Sequence, residues 1–276
     1  MNWVYNPLTQ ILCLSTKIST AFFPLLYRRT KLVLDWHNYG YSIMELSFGD
    51  WHPLVKLAKS IEAFFGPKVH AAFCVSKAMK RKLHDEWGIE ATVLYDRPTD
   101  SFRSCSDLEK YRLLQKLSVS YPNELDPSRF METGKGNEDD NFSVRLKAGR
   151  PGILVSSTSW TEDEDFSILF EALDQYESRF HVKSMPMPDL VCVITGRGPQ
   201  KEYFRKLIDR QSWQHVQVIM PWLEPEDYPL MLASADLGVC LHTSSSGVDL
   251  PMKVLLCAKL FFPRGHYFKK FREKAS

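Results

Sequence analysis

The sequence is short of several features, and each shortage closes a class of function. No stretch reaches the roughly 18–20 uninterrupted apolar residues that a membrane-spanning helix needs. The most apolar segment, residues 1–29, is broken by Pro7, Lys17 and Pro24. It has no basic start and no small-residue cleavage site, so it does not read as a signal peptide. It reads instead as an atypical N-terminal segment, either lying at a membrane surface or simply a poor fit to the rest. The six cysteines, at 13, 74, 105, 192, 240 and 257, form no CxxC pair. Cys74, Cys192 and Cys240 fall in apolar runs, as buried reduced thiols do. The eight histidines do not cluster with the cysteines, which excludes a zinc site of ordinary spacing. Neither sign of charge is in excess: the net value is +2, so no global field points to nucleic acid. No internal repeat is present, and "SSSGVD" lacks the G-x-S-x-G pattern of a hydrolase nucleophile.

What is present is an ordinary globular composition, 44% hydrophobic and 25% charged over 276 residues, enough for one large domain or two small ones. From residue 31 the chain alternates between two periodicities. "KLVLDW" (31–36), "VHAAFCV" (69–75) and "EATVLYD" (90–96) read as buried strands. Between them lie two helices, 52–65 and one capped by Ser76 and closed by Gly88. Residues 97–150 break the rhythm: a short helix (107–118) leads into a polar, turn-rich stretch expected to be a linker or insertion, partly disordered. Alternation then resumes. Strands are expected at 152–157, 189–196, 215–220 and 236–241, with helices at 161–177, 199–211 and 224–235. Such alternation predicts parallel sheets with crossover helices, and ligands in them sit beyond the carboxyl ends of the strands.

Of the four loops at those ends, the first, second and fourth are rich in small, hydroxylated and glycine residues. The four read "SSTSW" (156–160), "TGRGPQK" (195–201), "PWLEPED" (221–227) and "HTSSSGVDLPMK" (242–253). Loops of this kind let backbone amides approach a phosphate, and the helices that follow offer free N–H groups. "GRGP" is not the full dinucleotide fingerprint, because Lys201 stands where the third glycine would be; Pro199 suits a first helical position, which many loops need. "LPMK" starts a further helix with Pro251 and Lys253 in its first turn. A lysine there opposes the helix dipole, and a bound diphosphate supplies a reason for it. The Asp-x-Asp within "TEDEDF" (161–166) reads as helix capping, with Thr161 and Glu164 as a capping box, rather than as a metal site. In the first half, "DWHNYGYS" (35–42) puts His37 at a strand end, where it suits a general base oriented by Asp35 or a satisfied loop histidine. The neighbouring helices carry lysines beside Leu54, Leu57, Phe64 and Phe65, a pattern that fits an anionic membrane surface as well as an ordinary amphipathic helix.

"DWHNYGYSIM", "FCVSKAMK", "SSTSWTEDEDFSILFEAL", "VCVITGRGP" and "PWLEPEDYPLMLASADLGVCLHTSSSGVDLPMKV" together resemble the chitobiosyldiphosphodolichol β-mannosyltransferase family over residues 31–254. The resemblance implies an α/β fold: a GT-B-like pair of doubly wound Rossmann-type domains, the first binding acceptor and the second nucleotide sugar. It implies transfer of mannose from GDP-mannose to dolichol-linked chitobiose, at the cytosolic face of the endoplasmic reticulum membrane. Other mannosyltransferases of the same pathway are implied partners; no metal or other cofactor is. The donor side is expected to involve Ser157, Thr158, Gly196, Gly198, Pro199, His242, Ser244, Ser245, Ser246, Gly247, Asp249 and Lys253. His37 is expected to face the acceptor side as a catalytic residue, with Asp35 beside it as the second. Retaining relatives carry glutamates where Ser246 and Val254 stand, so the resemblance implies inversion and hence a base.

The expected organisation is an atypical segment (1–30), a partial acceptor-side domain (31–96), the linker (97–150), a nucleotide-sugar domain (151–254) and a basic-aromatic tail (255–276). Residues 1–30 and 255–276 depart from the family pattern, and both domains are expected to be incomplete. That leaves two functions in competition: a working or partly working mannosyltransferase, or a non-catalytic relative that binds nucleotide or partner enzymes. Asn141 sits in an N-x-S sequon that is expected to stay unmodified on a cytosol-facing domain.

Overall fold

A computed structural model describes residues 31–134, 143–161, 164–180, 187–242, 244–249 and 253. By contacts the chain divides into two units. The first holds the described residues up to Arg97 together with 244–249; the second holds Pro98–His242 and Lys253.

The first unit opens with β1 (Val33–Trp36), α1 (Gly40–Phe48) and α2 (Pro53–Phe65). β2 (Ala71–Cys74), α3 (Lys77–Trp87) and β3 (Ala91–Val93) complete it. The three strands form a parallel sheet in the order β1-β2-β3. Each strand alternates between a buried and a less buried face, so Leu34, Trp36, Ala72, Cys74 and Ala91 lie in one core with Met79 and Leu83 of α3. Ser76 caps α3 by accepting from the Met79 amide, and Gly88 ends it at φ +65°, a conformation that glycine adopts without strain. Helix α1 was not expected. Its N-cap, Tyr39, offers no side-chain acceptor, so no capping signal marks it. The buried carboxylate of Glu62, on α2, takes that role by accepting from the Gly40 and Tyr41 amides.

The second unit begins with α4 (Asp107–Ser118), α5 (Pro127–Phe130) and the antiparallel hairpin of β4 (Met131–Gly134) and β5 (Ser143–Leu146). The linker reading of 97–150 is therefore corrected. Leu113, Leu114, Leu125, Phe130 and Met131 are buried in the core, and the buried Lys110 ammonium donates to the Ser234 carbonyl. The polarity of this stretch belongs to one side of α4 and to its turns. Residues 135–142, with the Asn141 sequon, lie outside the described residues, as do residues 1–30, the tail from 254, Cys13 and Cys257.

The main sheet follows: β6 (Gly152–Ser157), α6 (Ser167–Arg179), β7 (Leu190–Thr195), α7 (Lys201–Ile208), β8 (Val216–Ile219), α8 (Asp227–Ser234) and β9 (Leu237–Val239). All four strands run parallel in the order β8-β7-β6-β9. β6 and β7 are apolar on both faces because both are covered. Ile153, Val155, Val191 and Val193 pack towards α4 and α8. Leu154, Cys192 and Ile194 face the other way, onto Phe166, Phe170 and Phe204. The chain steps outward from β6 to β8 and returns to β9 on the other side of β6. That reversal between β6 and β9 is the switch point beyond which doubly wound sheets bind ligands.

Candidate active site

At the switch point four expected or unexpected residues meet. Thr158, in the loop after β6, is buried; its hydroxyl donates to Glu164 Oε2 at 2.5 Å and accepts from the Trp160 amide at 2.8 Å. Glu164, with only 1% of its side chain exposed, also accepts from the Ser159 amide at 2.9 Å and is ion-paired to the Lys253 ammonium. Glu164 and His242 form an isolated bridge, which closes the loop after β9 onto the loop after β6. The capping-box reading of Thr161 and Glu164 is thereby overturned. Helix α6 starts only at Ser167, and Asp165 accepts from the Ser167 amide there. Lys253 has its reason in Glu164, although one carboxylate engages only part of an ammonium with three N–H donors, and 27% of the lysine side chain is exposed.

The glycines of "GRGP" have a packing duty. Gly196 sits at φ +142°, and a Cβ there would lie 1.7 Å from the Thr158 carbonyl oxygen; one on Gly198 would lie 1.7 Å from that of Ser159. The loop after β7 is thus pressed against the loop after β6, joined by the Thr158 amide to the Thr195 carbonyl and the Gln200 amide to the Trp160 carbonyl. Trp160 is fully buried with φ +51°, a conformation costing about 1–3 kcal/mol in a non-glycine residue and concentrated at functional sites. Its ring stacks on Phe166 at 4.7 Å. Pro199 lies in the turn ahead of α7, not in its first turn as expected. Ser157 ends β6 opposite Thr195. Sequence reading missed Arg197, whose guanidinium lies 3.7 Å above the exposed Trp222 ring, and Lys201, whose ammonium donates to the Gly196 and Met220 carbonyls. Burial, then Arg205 and Arg197, push the Lys201 pKa down.

In the first unit, His37 follows β1 and stands between two carboxylates. Its Nε2 is 3.1 Å from Asp35 and its Nδ1 3.4 Å from Asp96, just past β3. Asp35 was expected beside it; Asp96 was not, because only the sheet brings it there. A neutral imidazole has one N–H and can donate to only one of the two acids. Its other nitrogen then turns a lone pair towards the second carboxylate, a position at which it can take up a proton. The ring is nearly half exposed.

The serine loop belongs to this unit as well. Ser245 Oγ lies 3.0 Å from Ser42 Oγ and 3.2 Å from Asn38 Nδ2. Ser244 and Ser246 both donate to Asp249, Ser244 accepts from the Gly247 amide, and Gly247 turns the chain at φ +72°. Ser76 Oγ donates to the Val248 carbonyl and Lys82 to that of Ser246. These hydroxyls, expected on the donor side, are joined in this unit to the segment carrying His37. At the start of α1, Glu62 is pushed up to about 7 by burial, against the Gly40 and Tyr41 amides that lower it. Burial, and then Glu86, push Tyr41 up to about 12.

No protein-family profile matches the chain. Curated relatives do. The chain is 51% identical over 236 residues to chitobiosyldiphosphodolichol beta-mannosyltransferase of Homo sapiens, covering 82% of this chain and 50% of that one. The Mus musculus protein of the same name is 50% identical over 234 residues, covering 82% and 48%. Over that span the chain is a homologue of these mannosyltransferases. It covers about half the length of the curated relatives it matches. A protein of Arabidopsis thaliana named UDP-glycosyltransferase TURAN is 41% identical over 250 residues, covering 83% and 54%. Among solved structures, sucrose-phosphate synthase from Thermosynechococcus elongatus matches with a TM-score of 0.50 at 8% identity, covering 83% of this chain and 49% of that one. That likeness bears on fold alone, and it agrees with Rossmann-type units of the GT-B kind.

Proposed function

We propose that the chain is an inverting glycosyltransferase that moves mannose from GDP-mannose to dolichol-linked chitobiose, forming a β-1,4 bond. The observation that carries this is the 51% identity over 236 residues to a protein named for that reaction. The site chemistry agrees with it. A GT-B enzyme of this type needs a base in one unit and a diphosphate site at a sheet switch point in the other. The acceptor hydroxyl would attack the anomeric carbon, the bond to the diphosphate would break, and GDP would leave. The lone pair of His37 would take the hydroxyl proton, with Asp35 and Asp96 holding the ring and balancing the charge it gains. In the second unit, the amides of the loops after β6 and β7, Lys253 and Lys201 would face the diphosphate. Arg197 and Trp222 offer a flat cationic surface to the nucleoside. No metal is needed in this scheme, because the lysines carry the leaving-group charge.

The reaction would take place at the cytosolic face of the endoplasmic reticulum membrane, with other mannosyltransferases of the same pathway as neighbours. No helix among the described residues is long and apolar enough to cross a membrane. The name of the Arabidopsis relative makes the donor base the point to test. Purified protein given dolichol-linked chitobiose should extend it with GDP-mannose and not with a UDP-sugar. Transfer from the UDP-sugar alone, or binding of GDP and guanosine with equal affinity, would overturn the reading.

A further inference from the structure

Helix α2 carries two stripes at the same spacing: one turns to the core, and the other, wholly apolar, does not. Val55, Ala58, Glu62 and Phe65 recur at intervals of three and four and turn towards the core of the first unit. Leu54, Leu57, Ile61 and Phe64 recur at the same intervals one residue earlier, and Leu54, Leu57 and Phe64 are 49%, 56% and 61% exposed. Helix α1 packs beside α2 and also leaves Ile43, Leu46 and Phe48 exposed. Trp51, at the turn joining the two helices, is 80% exposed. Monomeric proteins rarely leave so many large apolar side chains exposed on two neighbouring helices without a partner.

The charges around the face say what it fits. Lys56 lies over the Trp51 ring at 4.9 Å, and Lys68 lies over Phe64. Lys59 lies over Tyr41 at 5.0 Å. Tyr41 is buried, but the exposed Trp51 and Phe64 rings, each with an ammonium group resting on it, place apolar bodies and cationic tips together, the arrangement that suits the boundary between lipid tails and headgroups. The acids nearby, Glu45 and Asp50, are fewer than the lysines, and Glu62 is buried. A second copy pairing this face with itself would set lysines against lysines. Residues 1–30 contain Lys17, Arg28 and Arg29 and no acid, and residues 254–276 are also basic, so neither end of the chain complements it. The partner is anionic and apolar at once.

We infer that the α1–α2 hairpin is a membrane-docking surface that lies in the headgroup region of an anionic bilayer, with Trp51, Leu54 and Leu57 entering the acyl boundary. This deepens the membrane contact of the proposed function, but its test uses neither donor nor acceptor, so either idea can fail alone. The full chain is floated with vesicles of phosphatidylcholine, with and without phosphatidylserine. Wild type should bind the mixed vesicles, and Trp51→Ser/Leu54→Ser/Leu57→Ser should weaken binding by more than about tenfold while thermal unfolding is unchanged. Lys56→Glu/Lys59→Glu/Lys68→Glu should remove the preference for phosphatidylserine, since each lysine near such a surface is worth roughly fivefold in partitioning. A fluorophore at Leu57→Cys should shift to an apolar spectrum on binding. Undiminished flotation of the triple serine variant would overturn the inference. So would a wild type that self-associates through this face without binding either vesicle.

Discussion

The two parallel sheets are built from the same strand–helix–strand unit, yet they are covered differently. In the second unit β6 and β7 are buried on both faces, and the charged groups at their ends are enclosed: Glu164 is shielded, Lys253 only partly reachable. In the first unit β1 and β2 alternate between buried and half-exposed residues, and the ionisable cluster of His37, Asp35 and Asp96 stands open. The difference matches what each must handle under the proposed function. A diphosphate is held by fixed amides and ammonium groups, whose positions depend on packing. A base must meet a hydroxyl arriving from outside, so it needs access more than enclosure. The same openness appears on the outer face of α1 and α2, where rings and lysines are left exposed together.

The comparison can be broken first at His37. His37→Gln keeps a ring-sized polar group but removes the base. Under the proposed function it should lower kcat by about 10²–10⁴-fold, with the donor KM unchanged. A rate within threefold of wild type would move the base elsewhere.

In the second unit the expected effect is on stability. Glu164→Ala would leave the Thr158 hydroxyl, the Ser159 amide and the Lys253 ammonium without their shared acceptor. Removing one partner of a buried ion pair costs about 3–5 kcal/mol, read here from denaturant midpoints. The matching change in the open cluster, Asp96→Ala, should cost less than about 1 kcal/mol, because half-exposed pairs contribute little. Equal losses would erase the contrast between the units.

A smaller effect, with a defined pH window, comes from Glu62. Its carboxyl is raised from 4.5 to about 7 in the folded chain. The native state therefore holds that proton more tightly than the unfolded state does. The stabilisation is complete below about pH 4.5 and is lost as pH rises through 7, about 3 kcal/mol in all at ~1.4 kcal/mol per pH unit. Glu62→Gln should flatten unfolding free energy over that window and be the more stable form at pH 8. A wild type whose stability rises from pH 5 to 7 as steeply as the variant's would refute it.

How much of this could be read from the sequence follows from how local each feature is. The strands of both sheets were legible because their apolar runs are buried, and α4, expected at 107–118, has its start fixed locally by a capping box of Ser106 and Glu109. Helix α1 was not, because its cap is Glu62, twenty-two residues beyond Gly40. The β4–β5 hairpin was hidden in a polar stretch whose buried members are spread thinly. Glu164 was misread because T-x-x-E has a local explanation, whereas its ion-pair partner lies 89 residues away. For Ser245 the sequence offered only its loop, because its hydrogen-bond partner Asn38 is 207 residues distant. His37 and the glycines stood out by type, but the reasons for them, Asp96 and the Thr158 and Ser159 carbonyls, come only with the fold.

The division of labour between the units is the central claim, and calorimetric titration of GDP tests it most directly. Lys253→Met/Glu164→Gln removes the charge that the proposed function sets against the phosphates, without leaving a buried ion unpaired. It should weaken GDP binding by about ten- to a hundredfold, the worth of a charge-assisted contact, while His37→Gln binds GDP as wild type does. If His37→Gln lost GDP affinity and the double variant kept it, donor and base would have been assigned to the wrong units.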